Sequence, residues 1–126
     1  MKELPSQAGQ TLIILLVFMI MTVTLTTAAV AVVLNNSITA QHLEEGAEAL
    51  EISESGAENA VIRLVRDTAY TGETLTLGDG SVTVSVSGTT TKTVVARSTV
   101  GNATRTTTVT VAIVNGVVTV QSWNEN

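Results

Sequence analysis

Residues 12–34 carry no charged side chain, and no other stretch restricts the fold of this chain as strongly. The run is apolar apart from scattered threonines. As a helix, its 23 residues extend roughly 35 Å at about 1.5 Å per residue, enough to cross a bilayer core of about 30 Å. Whatever follows residue 34 is carried by this segment.

Helical patterning does not stop there. After the polar Asn35-Asn36-Ser37, residues 38–67 place Leu43, Leu50, Ala57 and Leu64 seven apart, with Ala40, Ala47 and Val61 offset onto the same side. Acidic residues come early and Arg63 and Arg66 late, the order that suits the helix dipole. Residues 12–67 therefore read as one long helix, loosened at Asn35, Asn36 and Ser37. Gly46 and Gly56 each cost about 1 kcal/mol relative to alanine in an exposed helix, so they mark either close packing or a bend.

From Tyr70 onward the period changes to two. Residues 74–77 and 81–87 flank Gly78-Asp79-Gly80, a hairpin turn signal; residues 92–100 and 104–114 are joined by Gly101-Asn102. Asn115-Gly116 is a type I′ signal leading into residues 117–123. Val82, Val84 and Val86 share one face, as do Val109, Val111 and Ile113. A sheet with one valine-rich face needs a cover, and the available cover is the helix, through Leu50, Ala57, Val61 and Leu64. The expected fold class is α+β: a long N-terminal helix, membrane-spanning in its first half and amphipathic in its second, packed on a 4–5-stranded antiparallel sheet. The expected segments are 1–9 as a leader, 10–34 as the apolar helix, 35–68 as its amphipathic continuation and 69–126 as the sheet.

Three readings of the N-terminus compete. One is an uncleaved anchor with Lys2 on the cytoplasmic side. The second is a secretory signal peptide cut after Ala29-Val30-Ala31. The third is a short leader cut after Gly9, which leaves the apolar helix on the mature chain. A signal peptide requires helical patterning to end near Ala31, and the continuing pattern favours the third.

Several functions find no support. The net charge of −5 and the dispersal of Lys2, Arg63, Arg66, Lys92, Arg97 and Arg105 speak against nucleic acid, which needs a basic stripe. There is no cysteine, and His42 is the only histidine, so no nucleophile–base–acid set, CxxC or HExxH is present. Glu44, Glu45, Glu48, Glu51, Glu54 and Glu58 offer either a docking face for a basic partner, half a carboxylate metal site, or a solvated helix face. They do not share one side, which favours the last. Asp79 fits turn chemistry better than a Ca²⁺ site, threonine on the solvent face is explained by strand propensity, and Asn102-Ala103-Thr104 fits a glycosylation sequon. No cofactor or metal is expected.

The segment Gly9-Gln10-Thr11-Leu12-Ile13-Ile14-Leu15-Leu16-Val17 resembles the class III signal of type IV pilins and pseudopilins. Glu45-Gly46-Ala47-Glu48-Ala49-Leu50-Glu51 is similar to the Ala/Glu-rich stretch of pilin-like minor subunits. The stretch from Ala96 to Arg105 is similar to their S-T-G-x-x-G-x-x-R hairpin. The resemblance implies that a prepilin peptidase cuts between Gly9 and Gln10 and that Gln10 becomes the N-methylated first residue. It implies membrane lipid as the surroundings before assembly, the cytoplasmic membrane as location with the C-terminal domain outside the cytoplasm, and other pilin or pseudopilin subunits as partners through the N-terminal helix. Ile14 departs from the pattern, because bulk pilins carry at that position a glutamate that neutralises a neighbour's amino terminus. An unpaired ammonium in an apolar filament core costs several kcal/mol. The resemblance therefore implies a minor subunit at or near a tip. The competing expectation is a membrane-anchored or secreted β-domain with a binding or adhesive role.

Overall fold

A computed structural model describes residues 7–126. Helix α1 (Gln7–Arg66) is followed by strands β1 (Gly72–Leu77), β2 (Gly80–Gly88), β3 (Thr91–Val100), β4 (Ala103–Val114) and β5 (Val117–Glu125). The strands form one five-stranded antiparallel meander in the order β1-β2-β3-β4-β5. The arrangement is the expected α+β one. The chain divides into two units, Met1–Ala40 and Gln41–Asn126, and the second contains the sheet.

Two expectations for the helix need correcting. Asn35, Asn36 and Ser37 do not loosen it; all three lie inside α1, where Asn35 O accepts a hydrogen bond from Thr39 Oγ1 at 2.9 Å. The sheet-facing side follows the seven-residue seam only in its later part, where Ala57 and Leu64 are buried and Val61 packs against the core. Leu43 is 71% exposed, Ala40 and Ala47 are exposed, and Leu50 is only half-buried. The buried stripe is Gly46, Ala49, Ile52, Ser53, Gly56, Ala57, Ala60 and Leu64. A strict heptad drifts by about 20° per repeat around a straight α-helix, so the seam starts off the contact face at Leu43, reaches its edge at Leu50 and lies on it at Ala57 and Leu64. Residue size misleads as well. The face against the sheet is selected for smallness, and apart from Ile52 and Leu64 its members are glycine, alanine or serine.

Small residues let the two layers approach. A Cβ built on Gly56 would lie 2.7 Å from Val82 Cγ2 and 3.1 Å from its Cγ1, so this glycine marks close packing. The core joins Ala49, Ile52, Ala57, Ala60 and Leu64 of α1 to Val82, Val84, Val94, Ala96, Val100, Val109 and Val111 of the sheet. The valine faces of β2 and β4 point as their alternation requires, with Val86 and Ile113 half-buried at the margin.

Each strand except β5 starts one or two residues before its expected start, because the ladders run up to the turns: Leu77 opposes Gly80, Val100 opposes Ala103 and Val114 opposes Val117. Asn115 and Gly116 both have positive φ (53° and 79°), the type I′ turn their residue types predict. Helix α1 ends at Arg66. Asp67 N still donates to Arg63 O at 2.7 Å, while Asp67 Oδ1 accepts from Ala69 N at 2.8 Å and turns the chain toward β1.

Candidate functional site

The candidate functional surface with the clearest chemistry is the helix surface before residue 35. Every described large apolar side chain from Leu12 to Leu34 is exposed, with Ile14 at 61%. Helical threonines favour a rotamer that reaches the carbonyl one turn back, and here they all do so. Thr22 Oγ1 donates to Phe18 O, Thr24 to Ile20 O, Thr26 to Thr22 O and Thr27 to Val23 O, at 2.7–2.8 Å. Thr11 Oγ1 donates to Gln7 O at 2.9 Å. No hydroxyl in the run needs water. In hydrocarbon, an unsatisfied polar group costs several kcal/mol, so this pattern makes the segment compatible with lipid on all sides. The mean hydropathy of its most apolar window is 2.5, and the helix is long and apolar enough to span a membrane.

Gly9 and Gln10 are exposed and lie within the first turn of α1. No atom outside its own helical surroundings would meet a Cβ placed on Gly9 within 4 Å. The first helical turn lacks partners for its own N–H groups and opens more readily than the interior. Met1 to Ser6, including the Lys2 charge used to orient the anchor, lie outside the described residues.

The glutamates do not form one site. Glu44, Glu51 and Glu58 are exposed, whereas Glu45, Glu48 and Glu54 are half-buried against different parts of the sheet. Glu45 Oε2 accepts a long hydrogen bond from Asn102 N at 3.5 Å and stands 3.9 Å from His42 Nδ1. The Glu48 carboxylate lies beside the Gly78 turn. Among the described residues, no group of three or more His, Asp, Glu or Cys side chains is placed to hold a metal ion. Asp79 is exposed in its turn.

Glu54 meets Glu125 of β5. Burial, the neighbouring Glu125 charge and the hydrogen bond between the two carboxyls, in that order, push the Glu54 pKa up, with Glu58 and Glu51 adding to the effect. A carboxyl whose folded pKa is raised binds its proton more tightly when folded, so its contribution falls as pH rises from the ordinary glutamate value through the raised one. Glu54→Gln should therefore raise the melting temperature at pH 7, with the gain vanishing below the ordinary glutamate pKa. Melting curves of both proteins across that range check it; a gain independent of pH would refute the carboxyl-pair explanation.

Where α1 ends, Arg63 Nε pairs with Glu73 Oε1 at 2.8 Å and its guanidinium lies 5.7 Å from the Tyr70 ring centroid. Tyr70 donates to the same Glu73 oxygen at 3.0 Å, and burial together with that carboxylate raises the phenol pKa. The cluster borders a cavity of about 390 Å³ with Asn59, Ile62, Arg66 and Asp67. It ties β1 to the helix end, and its charges are already paired.

Residue patterns alone did not single out three buried hydroxyls. Ser98 Oγ donates to Ala49 O of the helix, and Ser53 Oγ and Thr107 Oγ1 share a 2.8 Å hydrogen bond. All three side chains are fully buried. Ser98 belongs to the hairpin singled out by resemblance; nothing in the pattern flagged Ser53 or Thr107. These bonds and the Glu45 contact register the helix on the β3–β4 hairpin.

The geometry defines an α+β protein with one long, apolar N-terminal helix that packs on a five-stranded antiparallel sheet. Compared with family models, curated proteins and solved structures, the chain matches none.

Proposed function

We propose that this chain is a structural subunit of the type IV pilin and pseudopilin kind, a minor subunit placed in or at the tip of a pilus or pseudopilus. Its leader is removed between Gly9 and Gln10 by a prepilin peptidase, Gln10 is N-methylated, and the helix waits in the cytoplasmic membrane with the sheet outside the cytoplasm. It then joins neighbouring subunits through that helix. Its role is structural, with no catalytic step. The observation that supports this reading best is the unbroken α1. Its first part exposes apolar side chains with every threonine bonded internally, and its later part covers a sheet. A secretory signal would have no use for a helix that continues into a packed core. Ile14 supports the minor assignment, since it removes the carboxylate that a bulk subunit offers its neighbour.

One observation favours a second reading, a plain membrane-anchored β-domain: Gly9 sits within α1, so the bond after it is not held extended for a protease. The intact mass of the mature protein separates the two. Loss of Met1 through Gly9 plus one methyl group on Gln10 is the expected result. An uncut chain would favour the plain anchor, and a mature start at Val32 would favour a secreted domain.

A further inference from the structure

A meander of five strands has two free edges that run in the same direction. In this sheet β1 and β5 each have a neighbour on one side only among the described residues, and β1, β3 and β5 are parallel to one another. Each edge presents unpaired backbone N–H and C=O groups, which bind an extended strand unless something blocks them. Two of the usual blocks, lysine and proline, are missing. Neither Gly72–Leu77 nor Val117–Glu125 contains lysine or proline, and the one charge on β1, Glu73, is held by Arg63.

The side chains at the two edges also match. Leu75 and Leu77 of β1 oppose Val82 and Gly80, which places them on the helix-facing side of the sheet. Val118, Val120 and Trp123 of β5 oppose Ile113, Val111 and Val109, which places them on the same side. Although they point to the core side, Leu77, Val120 and Trp123 are 38%, 48% and 36% exposed, because the helix does not cover the sheet margins. On the other side, Thr74 and Thr76 of one edge correspond to Thr119 and Ser122 of the other. Within Val117–Val120, edge-to-edge contact would set aliphatic against aliphatic on the helix-facing side, and on the other side Thr119 against a threonine of β1 with Val117 beside it.

We infer that β5 of one copy pairs in parallel with β1 of a second copy, joining the sheets of identically oriented chains side by side. Orientation decides between this partner and the two-fold alternative. Antiparallel pairing of β5 with β5 turns one copy end over end and points the two sheet-packed helix segments, residues 41–66, in opposite directions. Parallel pairing keeps them aligned, as chains anchored in one membrane must be. The inference rests on the anchored reading for that orientation alone. Charge placement agrees, since Glu73 near the start of β1 and Glu125 at the end of β5 fall at opposite ends of a parallel ladder. The contact is heterologous and repeats without closing. A register shift between Thr110 and Val111 leaves Gln121 of β5 unopposed, which confines regular pairing to the stretch from Val117 to Val120. So short a ladder is weak in dilute solution and gains from the high local concentration of chains held in one membrane.

The chain has no cysteine, so introduced cysteines report on this contact directly. Paired strands lie about 4.8 Å apart, within the usual Cα separation of a disulfide. Full-length Thr74→Cys/Thr119→Cys and Thr76→Cys/Thr119→Cys variants, reconstituted in phosphatidylethanolamine–phosphatidylglycerol vesicles and mildly oxidised, should give a ladder of dimers and higher multimers. Adding Val120→Lys should abolish it. Dimers from Thr119→Cys alone would show two-fold β5 pairing and overturn the inference. So would the absence of a ladder in chains that float with the vesicles, or a ladder indifferent to Val120→Lys. A chain that does not float with the vesicles overturns the anchored reading itself and the orientation derived from it.

Discussion

Met21→Asp combined with Leu25→Asp should release the chain from membranes. The two positions are one turn apart near the middle of the apolar run, and both native side chains are exposed on the helix surface. Each aspartate at the centre of a spanning helix costs about 2.5–3.5 kcal/mol on insertion scales. The pair therefore adds about 5–7 kcal/mol, which turns stable insertion into a minor population. The expected result is a shift from the carbonate-resistant pellet to the supernatant. Met21→Thr with Leu25→Thr is the instructive control. Each new hydroxyl can bond to the carbonyl one turn back, as Thr22 and Thr24 do, so the threonine pair should stay in the pellet. Equal release by both pairs would show that side-chain hydrogen bonding does not govern retention.

The second large effect is expected at Gly56. On helix propensity alone, Gly56→Ala should stabilise by up to about 1 kcal/mol. The added methyl would instead meet Val82 Cγ2 at 2.7 Å, closer than real Cβ contacts allow, with Val82 fully buried. Helix and sheet must then separate or Val82 must leave its rotamer, and overpacking of this kind costs about 1–3 kcal/mol. Gly56→Leu should cost at least the upper end of that range. For a domain of this size each kcal/mol is about 4–8 °C in melting temperature, which Trp123 fluorescence would follow. Truncating the obstacle provides the check: Gly56→Ala with Val82→Ala should be less destabilised than the sum of the single variants. Strict additivity would place the glycine's role elsewhere.

Much of this architecture is legible from alternation and turn residues. The change of period at Tyr70, the Asn115-Gly116 turn and the valine faces of β2 and β4 follow from local rules that the structure obeys. The helix face was not legible in the same way. Leu43 and Leu50 advertise a seam by size, yet they lie off or at the edge of the contact, because the sheet is approached by Gly46, Ala49, Ser53, Gly56 and Ala60. A glycine or alanine on a helix looks the same in sequence whether it is exposed or pressed against a valine; the facing strand decides. The same holds for Ser53 and Thr107, whose partners are 54 residues apart. The apolar run, by contrast, declares itself through composition, and its internal hydrogen bonds follow from the threonine rotamer. The cut after Gly9 rests on resemblance, since among the described residues no contact distinguishes that bond from its neighbours.

The threonines between Phe18 and Leu34 have a consequence for movement between environments. Each hydroxyl proton is engaged by the preceding turn, so the outer surface of the segment is made of methyl groups, hydrocarbon and the weakly polar thioethers of Met19 and Met21. Moving such a rod from lipid to a sheath of neighbouring helices changes which carbon atoms it touches and disturbs no polar bond. Its preference between the two settings then depends on how well side chains interlock. Small differences in shape, such as those among Thr, Ala and Val along residues 22–33, are enough to tip it in either direction.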